Sequence, residues 1–151
     1  MTVNGEEVTS TVEPRRKLSD FLRHERGLGG VRVGCEQGVC GACVVSMDGD
    51  VVKSCLVYAV QADGTDVVTV EGLSEDGELH PVQEAFHDAH GLQCGYCTSG
   101  FVMATRSLLA ENPDPTREEV EAALAGNLCR CTGYQNIHEA VRRAASSMEA
   151  D

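Results

Sequence analysis

Eight cysteines stand out in a chain of 151 residues that carries a formal net charge of −12. They fall into two groups of four: Cys35, Cys40, Cys43 and Cys55, then Cys94, Cys97, Cys129 and Cys131. Met1 to Ser10 holds no basic or apolar leader, and no run approaches the roughly 20 apolar residues that cross a bilayer. The expected address is therefore cytoplasmic, with no membrane span. In a reducing compartment an even Cys count points to metal or redox chemistry rather than disulfides. The acidic balance repels phosphate backbones, which argues against nucleic-acid binding.

Residues 34–43 read G-C-E-Q-G-V-C-G-A-C, a C-x4-C-x2-C spacing. That spacing is the one found in plant-type [2Fe–2S] proteins, whose fourth Cys arrives from elsewhere. Cys55 follows after eleven intervening residues, and an Asp48-Gly49 hairpin would reverse the chain and bring it back. Gly34, Gly38 and Gly41 interleave with the thiols, letting the loop curl so that backbone N–H groups point inward. Such donors offset a cluster charge of roughly −2 oxidised and about −3 reduced. The second group is a C-x2-C (Cys94, Cys97) and a C-x-C (Cys129, Cys131). Four thiolates also suit structural zinc, so spacing alone leaves both metals open here. A catalytic C-x-x-C dithiol leaves Cys129 and Cys131 without a role.

The elements that must position these groups differ between the halves. The first half reads as β-rich. Asn4-Gly5 marks a tight turn between Thr2-Val3 and Val8–Val12. Val44–Met47 and Val51-Val52 flank Asp48-Gly49, and Asp66–Val70 forms a further strand. Leu18, Phe21 and Leu22 predict a helix over Lys17–Glu25. The second half changes to a helical period. Pro81 opens a helix carrying Val82, Ala85, Phe86 and Ala89, and Phe101 to Leu109 forms another, stopped before Asn112-Pro113. Thr116-Arg117-Glu118-Glu119 is a capping box for a third helix, ended by Gly126. Ile137, Ala140, Val141, Ala144, Ala145 and Met148 stripe a fourth, and the tail after Ser147 is expected to fray. Cys94 and Cys97 precede the second helix, while Cys129 and Cys131 follow the third, so an antiparallel pair brings all four to one end. The first turn of a helix there would favour an anionic group.

Four segments now carry a resemblance: G-C-E-Q-G-V-C-G-A-C (34–43), H-P-V-Q (80–83), Q-C-G-Y-C-T-S-G (93–100) and G-N-L-C-R-C-T-G-Y-Q-N-I (126–137). Together, in order and over essentially the whole chain, they resemble the small iron–sulfur subunit of the xanthine dehydrogenase family of molybdenum hydroxylases. That family includes aerobic carbon monoxide dehydrogenases, aldehyde oxidoreductases and N-heterocycle hydroxylases. The resemblance implies an α+β chain, with a ferredoxin-like β-grasp domain over 1–76 and a four-helix bundle over 77–151. It implies that Cys35, Cys40, Cys43 and Cys55 ligate a ferredoxin-type [2Fe–2S] cluster, and Cys94, Cys97, Cys129 and Cys131 a helical one. Gln93 matches a residue that contacts the pterin in relatives, and Cys131 is the ligand nearest it, so both would face the pterin. Ser99, Tyr96 and Val44 depart from the commoner Pro, Phe and Thr without removing a ligand. The loop Glu36–Val39 differs from the pattern of the carbon monoxide enzymes.

The implied role is a non-catalytic electron-transfer subunit with no catalytic residue of its own. It would accept single electrons from a large molybdopterin subunit and pass them, helical cluster first, towards FAD on a medium subunit, in a dimer of heterotrimers. The rival readings are a free ferredoxin-type carrier and a zinc-thiolate interaction module. His80 and His138 read as helix-start or interface residues, Tyr96 and Tyr134 as packing, and Glu118, Glu119 and Glu121 as a solvated face. Arg130 would either offset cluster charge or meet an acidic partner surface.

Overall fold

The computed structural model describes residues 1–148. Its first half is a mixed five-stranded sheet in the order β2-β1-β5-β3-β4. The strands are β1 (Thr2–Val3), β2 (Glu6–Glu7), β3 (Val44–Met47), β4 (Asp50–Lys53) and β5 (Asp66–Val68). β1 runs parallel to β5, and the other neighbours are antiparallel. The Asn4-Gly5 turn forms with both residues at positive φ (51° and 80°), as a two-residue hairpin of this hand requires. Its second strand is Glu6–Glu7, not Val8–Val12: the turn pairs Val3 with Glu6 directly, and Val8 ends the ladder by donating to the Met1 carbonyl. The Asp48-Gly49 hairpin forms as expected, with Val44 opposite Lys53.

The expected first helix forms over residues 18–25, but in two parts. α1 (Leu18–Asp20) passes directly into a π-helical turn over Phe21–Glu25. Leu18, Phe21 and Leu22 are nonetheless fully buried, packing with Val3, Val31, Val45 and Val67 in one core. β5 likewise stops at Val68, and Val70–Leu73 tightens into a 3-10 turn that leads out of the sheet.

Four longer helices follow among the described residues. In α2 (Pro81–Asp88) Pro81 takes the first turn, where its missing N–H costs nothing. His80 Nδ1 caps the Val82 N–H. Gln83 fastens the connection to the sheet: its amide accepts from His80 N–H and the Ser74 hydroxyl and donates to the Val70 carbonyl. α3 (Thr98–Glu111) stops at Asn112, before Pro113. α4 (Arg117–Leu124) opens on the Thr116–Glu119 capping box. It ends at Leu124, and Gly126 does not take the left-handed conformation of a C-terminal cap. In α5 (Gln135–Met148) the stripe Ile137, Ala140, Val141, Ala144 is buried. Met148 is still helical, and the rest of the expected tail lies outside the described residues.

α2 packs on α5 and α3, and α3 packs on α4. Phe86, Phe101, Met103 and Ile137 fill this second core. β3 joins the two halves because its side chains alternate across the sheet. Val45 points into the first core and Val44 into the helical one. α3 lies against β3. The architecture is α+β.

Candidate metal centres

All eight cysteines are unbridged. In the first group the loop curls as the glycines require, with Gly38 and Gly41 at φ of 77° and 73°. Glu36, at 56°, takes the same hand without being glycine. The curl turns N–H groups onto Cys35: Cys40 N–H donates to its Sγ at 3.3 Å. Donation from Gln37, then Cys40, pulls the Cys35 thiol down to about 6. The β3–β4 hairpin returns Cys55 to Cys43, and Ser54 locks the return by donating its hydroxyl to the Cys43 carbonyl at 2.7 Å. Cys43 and Cys55 are buried and interact directly, and burial pushes Cys43 up to about 11.

The second group assembles from three elements. Cys97 sits at the N-cap of α3, Cys129 and Cys131 lie between α4 and α5, and Cys94 lies in the loop before α3. Cys94 Sγ and Cys131 Sγ are 3.7 Å apart, and Cys97 pairs with Cys129. Burial, then Cys129, pushes Cys97 up to about 12. At Cys129 burial acts upward, but the Thr132 hydroxyl, 3.2 Å away, and backbone N–H groups outweigh it and bring the thiol down. Gln93 stands beside this group, its amide donating to the Cys131 carbonyl at 3.2 Å.

The thiols thus meet two by two: Cys35 with Cys40, Cys43 with Cys55, Cys94 with Cys131, and Cys97 with Cys129. Two pairs of thiols in each group would suit a two-iron centre, each iron held by two protein thiolates. Two further observations fit an anionic group at the second site. The Thr98 and Ser99 hydroxyls, directly after Cys97, are buried without a hydrogen-bond partner, and they lie at the positive end of the helix dipole of α3.

Spacing carried no sign of how the two groups meet. Leu128 N–H donates to the Cys40 carbonyl at 2.9 Å, and the buried Asn127 amide donates to the next carbonyl, Gly41, at 3.2 Å. Tyr96, between Cys94 and Cys97, donates its hydroxyl to the Val33 carbonyl at 2.8 Å. Gly41 and Gly100 allow this approach, since a methyl group on Gly100 would overlap the Gly41 carbonyl. Tyr134 also does more than pack: its hydroxyl accepts from Cys129 N–H at 3.0 Å while its ring meets Phe101 edge-on. His80 is a helix cap. Glu119 and Glu121 are engaged by Thr116 and Arg117 at the surface, and Arg130 is exposed without an ion pair among the described residues.

The fold and these sites define a protein with two [2Fe–2S]-binding domains. Residues 1–71 match the 2Fe-2S iron-sulfur cluster binding domain and residues 69–142 the [2Fe-2S] binding domain. The chain is 58% identical, over 92% of its length and 84% of the relative's, to the nicotine 6-hydroxylase small subunit of Paenarthrobacter nicotinovorans. It is 47% identical, over 99% of its length and 91% of the relative's, to the caffeine dehydrogenase subunit gamma of a Pseudomonas strain. It superposes on quinoline 2-oxidoreductase from Pseudomonas putida 86 with a TM-score of 0.94 and 48% identity, covering 99% of this chain and 93% of that one. The chain belongs to the small iron–sulfur subunits of the xanthine dehydrogenase family of molybdenum hydroxylases. It is accordingly the non-catalytic electron-transfer subunit of a heteromeric oxidoreductase. Two [2Fe–2S] clusters are its own cofactors, with molybdopterin and FAD in partner subunits.

Proposed function

We propose that Cys35, Cys40, Cys43 and Cys55 hold one [2Fe–2S] cluster, that Cys94, Cys97, Cys129 and Cys131 hold the other, and that Gln93 and Cys131 face the pterin. The observation that carries this reading is the pairing of thiols two by two within each group. When bound, each cluster takes up and releases one electron at a time, as a link between two-electron cofactors must. The chain's own residues do the rest. Backbone N–H groups from Gln37 and Cys40 aim at Cys35 and stabilise its thiolate. The buried Cys43 and the half-buried Cys97 resist ionisation, so loading either site releases protons. Exposure of Gln93, Cys94 and Cys131 on one surface supports a partner contact there.

We place the division between the two units at 76/77, read α2–α5 as one four-helix bundle, and read the assembly as a dimer of heterotrimers in the cytoplasm. Support for the partners comes from relatives named as small, beta or gamma subunits. No helix of the described residues is long and apolar enough to cross a membrane. Relatives named for nicotine, quinoline and caffeine favour an N-heteroaromatic substrate for the holoenzyme. Iron and sulfide analysis of the purified complex tests the core of the proposal: about four Fe and four sulfides per copy of this chain are expected. Stoichiometric zinc, or a fully active iron-free sample, would overturn it.

A further inference from the structure

Lys53 ends β4 and lies half-buried between the two cysteine loops. Its ammonium donates to the Gly38 carbonyl at 2.6 Å, inside the C-x4-C segment. On the other side it reaches Gly126, three residues before Cys129: a methyl group there would come within 3.2 Å of Nζ and 3.7 Å of Cε. The missing side chain at Gly126, just past the end of α4, leaves room for the tip of Lys53. The side chain lines a groove of about 260 Å³ with Val44, Ala104, Leu108, Gly126 and Asn127. Among the described residues no carboxylate lies within ion-pair distance of this ammonium. Carboxylates are not scarce, since Asp and Glu number 24 against 12 Lys and Arg. Glu111 lines the same groove without pairing. A half-buried ammonium with no carboxylate beside it is placed to offset negative charge on the neighbouring thiolate loop.

We propose that Lys53 is the fixed counter-charge that raises the reduction potential of the site formed by Cys35, Cys40, Cys43 and Cys55. The inference rests on the cluster assignment above. Reduction moves one electron from the second thiolate site to the first and takes the first from a charge of roughly −2 to about −3, with no proton transferred. A nearby cation favours that added charge, and partial burial limits its screening. The bias falls mainly on the first site: Lys53 binds its loop directly, pairs with Val44 next to Cys43, and lies two residues from Cys55. Lys53 is a positioning residue that acts through its field.

The test is a redox titration of the intact complex, followed by low-temperature paramagnetic resonance, in K53R, K53Q and K53M. K53Q keeps a hydrogen-bond donor but removes the charge. With iron content unchanged, K53Q and K53M are expected to shift electron sharing between the two sites on the order of tenfold away from the first. That corresponds to about 59 mV for one electron. K53R is expected to retain the wild-type value. Wild-type potentials in K53Q, whether or not K53M shifts, would overturn the role of charge. A wild-type complex without two distinct paramagnetic species would instead remove the cluster assignment, and this inference with it.

Discussion

Replacing Asn127 probes the seam between the two cysteine loops. Its side chain is buried, with 5% of the residue exposed, and its amide donates to the Gly41 carbonyl. That carbonyl also accepts from Val44 N–H at 3.2 Å, so N127A does not orphan it. The loss is one net hydrogen bond, about 1 kcal/mol, plus a small void, for a total of about 1–2 kcal/mol. N127D preserves the shape but turns a carboxylate oxygen towards a carbonyl oxygen. A buried charge without a partner costs about 3 kcal/mol or more, which would raise the folded pKa of the new carboxyl by about two units above the unfolded value near 3.9. The folded state then binds more protons than the unfolded one. The extra penalty is absent below about pH 4, grows as pH rises to about 6, and then levels off. Urea unfolding of the holoprotein, followed by visible absorbance and far-UV circular dichroism, reads both effects. With a slope of about 2 kcal/mol per molar urea, N127A should lower the midpoint by about 0.5–1 M at any pH. N127D should lower it by about 1.5 M at pH 8 and by roughly half that at pH 5. If N127D matched N127A at pH 8, Asn127 would not be the donor that ties the loops.

Three further outcomes follow from the same geometry. G100A should cost about 1–3 kcal/mol, despite alanine's better helix propensity, because the methyl group meets the Gly41 carbonyl; a rise in Tm would refute the close approach. C129S should abolish one paramagnetic species and stop electron flow from substrate, whereas C55S should abolish the other and block only the flavin step. Identical spectra in the two variants, or normal flavin reduction by substrate in C129S, would contradict the separate assignments. T116A should cost about 1 kcal/mol through loss of the capping box, a fall of roughly 2–4 °C in Tm, with T116S restoring most of it.

What could be read from the residues alone was what local chemistry dictates. Pro81, the Thr116–Glu119 box and Asn112-Pro113 bound helices because caps and breakers act within a turn of the residues that carry them. Asp48-Gly49 specifies a hairpin for the same reason, and the glycines among the first thiols specify a tightly curled loop. Errors came where neighbours compete on equal terms. Val8–Val12 has strand-like composition, yet the turn at Asn4-Gly5 had already chosen Glu6–Glu7 as the partner of β1. Gly126 does follow the end of α4, though without the left-handed conformation of a glycine cap, and its missing side chain also leaves room for the tip of Lys53. Gln93, Thr98 and Ser99 could be placed near a site, but their partners and orphaned hydroxyls could not.

The sequence by itself determined that the eight cysteines fall into two groups of four, which elements carry them, and the family to which the chain belongs. Only the tertiary structure decided how each set of thiols divides into pairs and how the two loops are clasped. The Asn127–Gly41 contact joins residues 86 positions apart. No spacing rule reaches that far, because such contacts form only when two packed cores share β3 and bring their surfaces together.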